Sequence, residues 1–413
     1  MARWDGGFFS SLFGNRRRAR PPPSPPPRPR LGGPNPSPGP PRGPRPVLAL
    51  PQRPQIRFQA IQPTRAQLRE LAQIEARKVQ LLFEQHRHQF EYVRYLSNGI
   101  TGVSCKVRIK NTGGRTQYFV VKRAFREGRQ TKLGEELRML ELLRGSQHIL
   151  QLFYIPSRLN NPLIGASGLT IFTEWIESGT LRQFLDRIIG QPRPLPNRML
   201  LEFFKCLVHF CIAMAWPPMG GKMAPHVEEK VPTDTQMRLN KEQIAHRDMH
   251  ISNIMIGSLN PEGGGHNLVP ILKLIDFDQA RDESNYPGAN TGVLMNIRDI
   301  GDVMRTIITG DLTMSPRPGR VTVTICGSRR TFFTQGADLT VARYENLDPE
   351  MAALVQWCLA SPIDRPSLEL LDESIKDLRM RATPNRYTNY PHGRYESDNE
   401  IRRIVDRCIL DAS

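Results

Sequence analysis

Residues 246–253 read HRDMHISN, and residues 271–281 read ILKLIDFDQAR. Each stretch joins a short apolar run, suited to a strand, to polar residues suited to a loop. Three oxygen-bearing side chains, Asp248, Asn253 and Asp276, thus fall on loops beside apolar strands, where they can converge. Such oxygen donors suit a hard cation such as Mg2+. Either stretch alone is a weak signal. Their order and the twenty-three-residue step from Asn253 to Asp276 make the pair informative.

Outward from this pair, the chain changes character several times. Thr64 is placed to cap a helix whose apolar positions are Leu68, Leu71, Ile74, Val79 and Leu82, ending near His88. From Phe90 the runs FEYVRYL, VSCKVRIKN and QYFVVKRAF, separated by SNGITG and TGGR, predict three antiparallel strands. A helix is expected over 132–144, then strands at 149–153 and 169–175, which gives five strands and one helix. After Gly179 the period becomes helical, in LRQFLDRII, LLEFFKCLVHFCIAMAW, NIRDIGDVMRTIITG and MAALVQWCLA. Residues 217–240 read as a polar, Gly/Pro-rich insertion. Ser397 and Glu400 form an SxxE signature before Ile401, Ile404 and Ile409 and predict a last short helix. No internal repeat is present.

HRDxxxxN followed by DFx resembles the catalytic loop and metal-binding motif of the eukaryotic protein kinase superfamily. The resemblance spans roughly Phe90 to Arg379 and extends to the divergent kinase-like proteins of fungi. It implies an α+β, bilobal fold with a small antiparallel-sheet N-lobe (90–176) and a mainly helical C-lobe (177–380). Residues 64–89 would be a helical extension and 381–413 a tail with a short helix. It also implies a site. Lys122, closing the strand YFVVK, would contact the α- and β-phosphates of ATP, and Glu136, opening ExxxLxxL, would pair with it, Glu135 being the alternative register. The hinge run FTEWIESG would present backbone groups of Glu174, Trp175, Ile176 and Glu177 to adenine, with the phosphates under Gly99 and Gly102. Asn253 and Asp276 would hold Mg2+, Asp248 would act as base, His250 would lie near the γ-phosphate, and Arg247 would read the activation segment. The acceptor would be a serine or threonine hydroxyl of a protein substrate.

Several positions depart from the family pattern. Ser97 stands where the first loop glycine is usual, DFG has become DFD with Asp278 last, and no APE follows Asp276, which leaves Arg365 without its usual partner. His250 replaces a lysine and brings less charge near pH 7. HxDxHxxN with DFD also resembles aminoglycoside and choline phosphotransferases. A silent pseudokinase scaffold is the third reading.

The net charge of +17 is unevenly spread, because residues 1–57 hold eleven Arg and one acid. Sixteen prolines lie between Pro21 and Pro54, a density that forbids helix and sheet and predicts a disordered Pro/Arg-rich arm over 1–63. PPPSPPPRPR fits an SH3-type groove and the charge fits an acidic partner; a solvated spacer is the plainer reading. No specific nucleic-acid motif occurs. The six cysteines include no CxxC pair and no His/Cys cluster at zinc spacing, so neither a disulfide framework nor a structural metal site is indicated, which fits a reducing intracellular compartment, cytoplasmic or nuclear. No apolar run is long enough to span a bilayer, and the start lacks a secretory apolar core.

Overall fold

The computed structural model describes residues 64–99, 102–110, 116–125, 127–190, 193–218, 227–260, 265–285, 290–313 and 315–411. The expected arm over 1–63, with its PxxP run and basic cluster, lies outside the described residues. The architecture is α+β, a small antiparallel four-stranded sheet followed by a larger helical part.

Helix α1 (Arg65–Glu84) starts where Thr64 predicts, in a reciprocal capping box: the Thr64 hydroxyl accepts from the Gln67 N–H and the Gln67 side chain accepts from the Thr64 N–H. Its buried stripe is Ala72, Ala76, Val79 and Phe83, while Ile74 faces solvent. The stripe packs on Phe90, Val103, Val107, Phe119 and Val121 of the sheet. Glu75 and Arg123 pair at 3.2 Å across that contact, both largely buried. Residues 64–84 thus form one wall of the sheet's own core.

Strands β1 (Phe90–Asn98), β2 (Gly102–Ile109) and β3 (Gln117–Ala124) form a meander. Helix α2 (Glu127–Leu142) precedes β4 (Thr170–Glu174), which pairs antiparallel with β3. The expected fifth strand over 149–153 does not form. That segment is divided: Leu150 donates to the Leu274 carbonyl at 3.0 Å, whereas Phe153 donates to the Phe172 carbonyl at 2.8 Å. Its apolar residues serve two sheets at once, so neither gains a regular strand.

Helix α3 (Leu181–Ile188) is capped by Thr180 and Gln183 in a second capping box. Helix α4 (Asn197–Ala215) is buried on nearly all sides, as a sequence apolar around most of its circumference requires, with Lys205 and His209 paired to acids. A short α5 (Thr235–Leu239) lies in the expected insertion, whose Glu228 and Glu229 reach back to α4 side chains. Strands β5 (Ile244–Ala245), β6 (Ile254–Ile256), β7 (Leu272–Leu274) and β8 (Arg281–Asp282) pair as β5 with β8 and β6 with β7. Helix α6 (Thr291–Thr309) then crosses the core, followed by the hairpin β9 (Gly319–Ile325) and β10 (Ser328–Thr334) and by α7 (Pro349–Cys358) and α8 (Leu368–Arg381).

The last segment, with α9 (Asp398–Val405), is integrated rather than loose. Ile401 and Ile409 are fully buried in the large core. Pro196 offers α4 no side-chain cap, and the buried Glu396 carboxylate supplies one, accepting from the N–H groups of Asn197 at 2.6 Å and Arg198 at 3.0 Å. Among the described residues no helix is long and apolar enough to cross a membrane.

Candidate functional site

The HRDMHISN loop leaves β5 under close backbone control. Asn296 of α6 holds it on two sides: its Oδ1 accepts from the His246 N–H at 3.1 Å and its Nδ2 donates to the Ile244 carbonyl at 2.8 Å. On the other side of the loop, His246 Nε2 donates to the Ile275 carbonyl at 3.0 Å, and Nδ1 accepts from the Asp248 N–H at 3.3 Å. Its ring meets Phe277 edge-on, centroids 4.8 Å apart. Burial lowers the His246 pKa to about 4, so the ring is neutral and can accept at one nitrogen while donating at the other. Arg247, at φ 66°, makes the corner that follows, a left-handed conformation unusual outside glycine. Gly292 lets the start of α6 close over this strand, since a Cβ there would meet the Gln243 carbonyl oxygen at 2.1 Å.

This scaffold brings the three oxygen-bearing residues together. Asn253 Nδ2 donates to the Asp248 carbonyl at 2.9 Å and to Asp248 Oδ2 at 3.0 Å, which leaves the amide oxygen for another partner. The Asn253 carbonyl accepts from the Ile275 N–H at 2.9 Å, tying the loop to the chain just before Asp276. Asp276 is also left-handed, at φ 66° and ψ 69°. Asp278 follows in a right-handed turn, Phe277–Gln279, where no glycine is needed. Burial, then the neighbouring Asp276, raises the Asp278 pKa. His250 caps the next turn through Nδ1, accepting from the Ser252 N–H at 3.2 Å, and its Nε2 stands 3.5 Å from Asp248 Oδ1.

The sheet contributes Lys122. Its Nζ lies 2.6 Å from Glu136 Oε2 and 2.7 Å from Asp276 Oδ1, so it joins β3, α2 and the segment after β7. The register favours Glu136, which is 1% exposed, over Glu135, which is half-buried and pairs with Arg138 on its own helix. Burial works against the Lys122 charge, and the two carboxylates outweigh it, leaving its pKa above the ordinary lysine value. Burial pushes Glu136 up, opposed by Lys122. For Asp276, burial is outweighed by Lys122 and the pKa falls.

Other expected site residues stand differently. Glu174 is engaged structurally: its N–H donates to the Gln151 carbonyl at 2.9 Å, and its Oε1 accepts from Lys273 Nζ at 2.6 Å and from the Gln151 N–H at 2.9 Å. Among the described residues no hydrogen bond takes up the N–H groups of Ile176 or Glu177. The Trp175 ring carries the Lys106 ammonium at 3.8 Å. Gly99 and Gly102 close the β1–β2 turn, Gly99 N–H to Gly102 carbonyl 3.1 Å. A Cβ on Gly102 would meet the Arg123 carbonyl oxygen at 2.2 Å, so close strand contact explains this glycine without a ligand. Arg247 Nε lies 3.5 Å from the buried carboxylate of Glu283. Arg365 is satisfied by backbone, donating to the carbonyls of Ala360 at 2.9 Å and Leu294 at 3.1 Å. Two open cavities, of about 530 and 310 Å3, lie elsewhere, against α1 with β1 and against α4 with α6.

The sequence reading missed Asn296 and Lys273. Asn296 had a visible signal, an amide on a helix face otherwise made of Val293, Ile297, Ile300 and Met304. No family model matches the chain, and no curated protein matches it either.

Proposed function

We propose that residues 90–380 form a bilobal, protein-kinase-like domain that binds ATP with Mg2+ and transfers the γ-phosphoryl group to a serine or threonine hydroxyl. The observation that carries this reading is Lys122 bridging the buried Glu136 and Asp276 while Asn253 is tied to Asp248 on the adjoining loop. Residues from distant parts of the chain meet there in the combination phosphoryl transfer asks for: a fixed cation, hard oxygen donors and a carboxylate with a free edge.

The donor chemistry fits the group. Asp276 gives one carboxylate oxygen to Lys122 and keeps the other, and Asn253 keeps its amide oxygen. These two would hold Mg2+, which when bound neutralises phosphate charge. Lys122, kept charged by its carboxylates, would bind the α- and β-phosphates in exchange for Asp276 Oδ1. Ile176 and Glu177 would offer their N–H groups to adenine; Glu174 is withdrawn from that role by its own hydrogen bonds. Asp248, with Oδ2 oriented by Asn253, would receive the proton of the acceptor hydroxyl. His250 lies beside it as an orienting neighbour.

The test uses purified full-length protein. Mg2+-dependent thermal stabilisation by ATP is expected and should be lost in Lys122→Ala. With labelled ATP and a peptide library, beside aminoglycosides and choline as competing acceptors, Asp248→Asn should lower transfer by roughly 10²–10⁴-fold with nucleotide affinity little changed. Stabilisation without transfer to any acceptor would favour a nucleotide-binding scaffold. No stabilisation at millimolar nucleotide would sink the proposal altogether.

A further inference from the structure

A second cluster of titratable side chains lies in the helical core, apart from Lys122 and Asp248. His148 follows α2, Cys206 and His209 are on α4, Glu229 lies between α4 and α5, and His266 lies between β6 and β7. His148, Cys206 and His266 are fully buried, and His209 and Glu229 nearly so. The two carboxylate oxygens of Glu229 face His148: Oε1 accepts from its backbone N–H at 2.8 Å, and Oε2 lies 2.5 Å from its ring Nδ1. His209 Nδ1 is 3.6 Å from the same Oε2.

That contact decides the tautomer of His148. A nitrogen so close to a carboxylate carries a proton, so Nε2 is the nitrogen left to meet a metal. Nε2 faces His266 Nε2 at 3.2 Å. Cys206 presents its sulfur to the same place, and the donor atoms of His148, Cys206 and His266 all lie within 4.8 Å of one another. Two donors on one tetrahedral zinc, at about 2.0–2.3 Å from the ion, are separated by about 3.5 Å, so this trio needs only a small inward movement. A carboxylate behind the distal nitrogen of a ligating histidine is the usual means of fixing such a ligand.

We infer that His148 Nε2, His266 Nε2 and Cys206 Sγ form a binding site for Zn2+, with Glu229 orienting His148 through its Nδ1–H. Two imidazoles and a sulfur suit zinc over the hard cations that carboxylates and carbonyls prefer. Among the described residues no fourth His, Cys, Asp or Glu donor joins this trio, so the ion would be held by these three side chains. Binding forms the Zn–S bond, breaks the S–H bond and releases that proton to solvent, with no change of oxidation state.

The site would fasten three irregular connections to α4. One of them joins β6, which starts directly after Asn253, to β7, which ends two residues before Asp276. The metal would thus steady the frame of both oxygen donors without touching them. The inference stands whether or not the chain transfers phosphate.

The experiment is metal analysis of full-length protein made without a polyhistidine tag in zinc-supplemented medium. About one zinc per chain is expected, with a melting temperature that falls on chelation and recovers with Zn2+. Cobalt substitution should give a thiolate-to-metal charge-transfer band, absent in Cys206→Ser, while His266→Gln should lose most of the bound metal. If either variant fails to fold, the cobalt spectrum of the parent decides. A metal-free protein that zinc does not stabilise overturns the proposal and leaves a hydrogen-bonded histidine network. A cobalt adduct lacking the thiolate band overturns the assigned ligands.

Discussion

His246 shows how a single residue sets both the shape of the loop and a measurable property. It is fully buried, and both ring nitrogens are engaged only while the ring is neutral. Its pKa is about 4 in the folded chain against 6.5 for a free histidine. Between those values the unfolded chain takes a proton that the folded chain refuses, so stability is lost as pH falls from 6.5 to about 4. At roughly 1.4 kcal/mol per pH unit, this gap amounts to about 3 kcal/mol. Urea titrations across that window should show a steep decline, and His246→Gln, which keeps a donor for Ile275, should flatten it. Equal slopes for parent and variant would remove His246 as the cause. From sequence, His246 reads only as the first letter of a motif. Its neutrality comes from Phe277 and Ile275, which folding brings against it.

At the level of elements, local signals were legible and divided loyalties were not. Thr64 and Thr180 carry their caps within three residues, so both helix starts can be read directly. Residues 149–153 look like a strand by composition, but Leu150 bonds toward β7 and Phe153 toward β4, a choice no local pattern encodes. The β9–β10 hairpin was overlooked although its signal is present. VTVTI alternates, and Cys326-Gly327 form a two-residue turn with φ 49° and 74°, the left-handed pair that such hairpins require. Gly102 belongs to this scale too, since the distance between β2 and β3 fixes its identity. Gly102→Ala should cost about 1–3 kcal/mol, because the Arg123 carbonyl must move to admit the methyl group. Chemical denaturation without nucleotide tests this. A variant as stable as the parent, yet unable to bind nucleotide, would assign the glycine to the ligand instead.

For the molecule as a whole, two cores divide the work, and the change to helical spacing after Gly179 marks their division only in part, since Leu133, Leu140 and Ile171 before it belong to the large core. What it does not mark is how each core recruits remote chain. Glu396 caps α4 across 199 positions, and α1 closes the sheet from before its first strand. Val79 and Phe83 are the deepest α1 residues, and burying side chains of that size stabilises by about 1.5–3 kcal/mol each. Truncation separates this wall from the proline-rich arm. A chain starting at Gln62, just before α1, should melt within about 2 °C of the full-length protein, because proline-dense sequence buries little apolar surface. A chain starting at Phe90 strips the sheet of α1, leaves Arg123 without Glu75, and should fail to fold cooperatively. The point substitution Phe83→Ala gives the graded version, a loss of about 3–5 kcal/mol, with the Lys122–Glu136 pair on the adjoining elements left in place. If the chain from Phe90 melts like the parent, the sheet needs no α1 and the second core has been drawn wrongly. If the chain from Gln62 loses many degrees, the arm itself contributes buried surface, and its composition has misled.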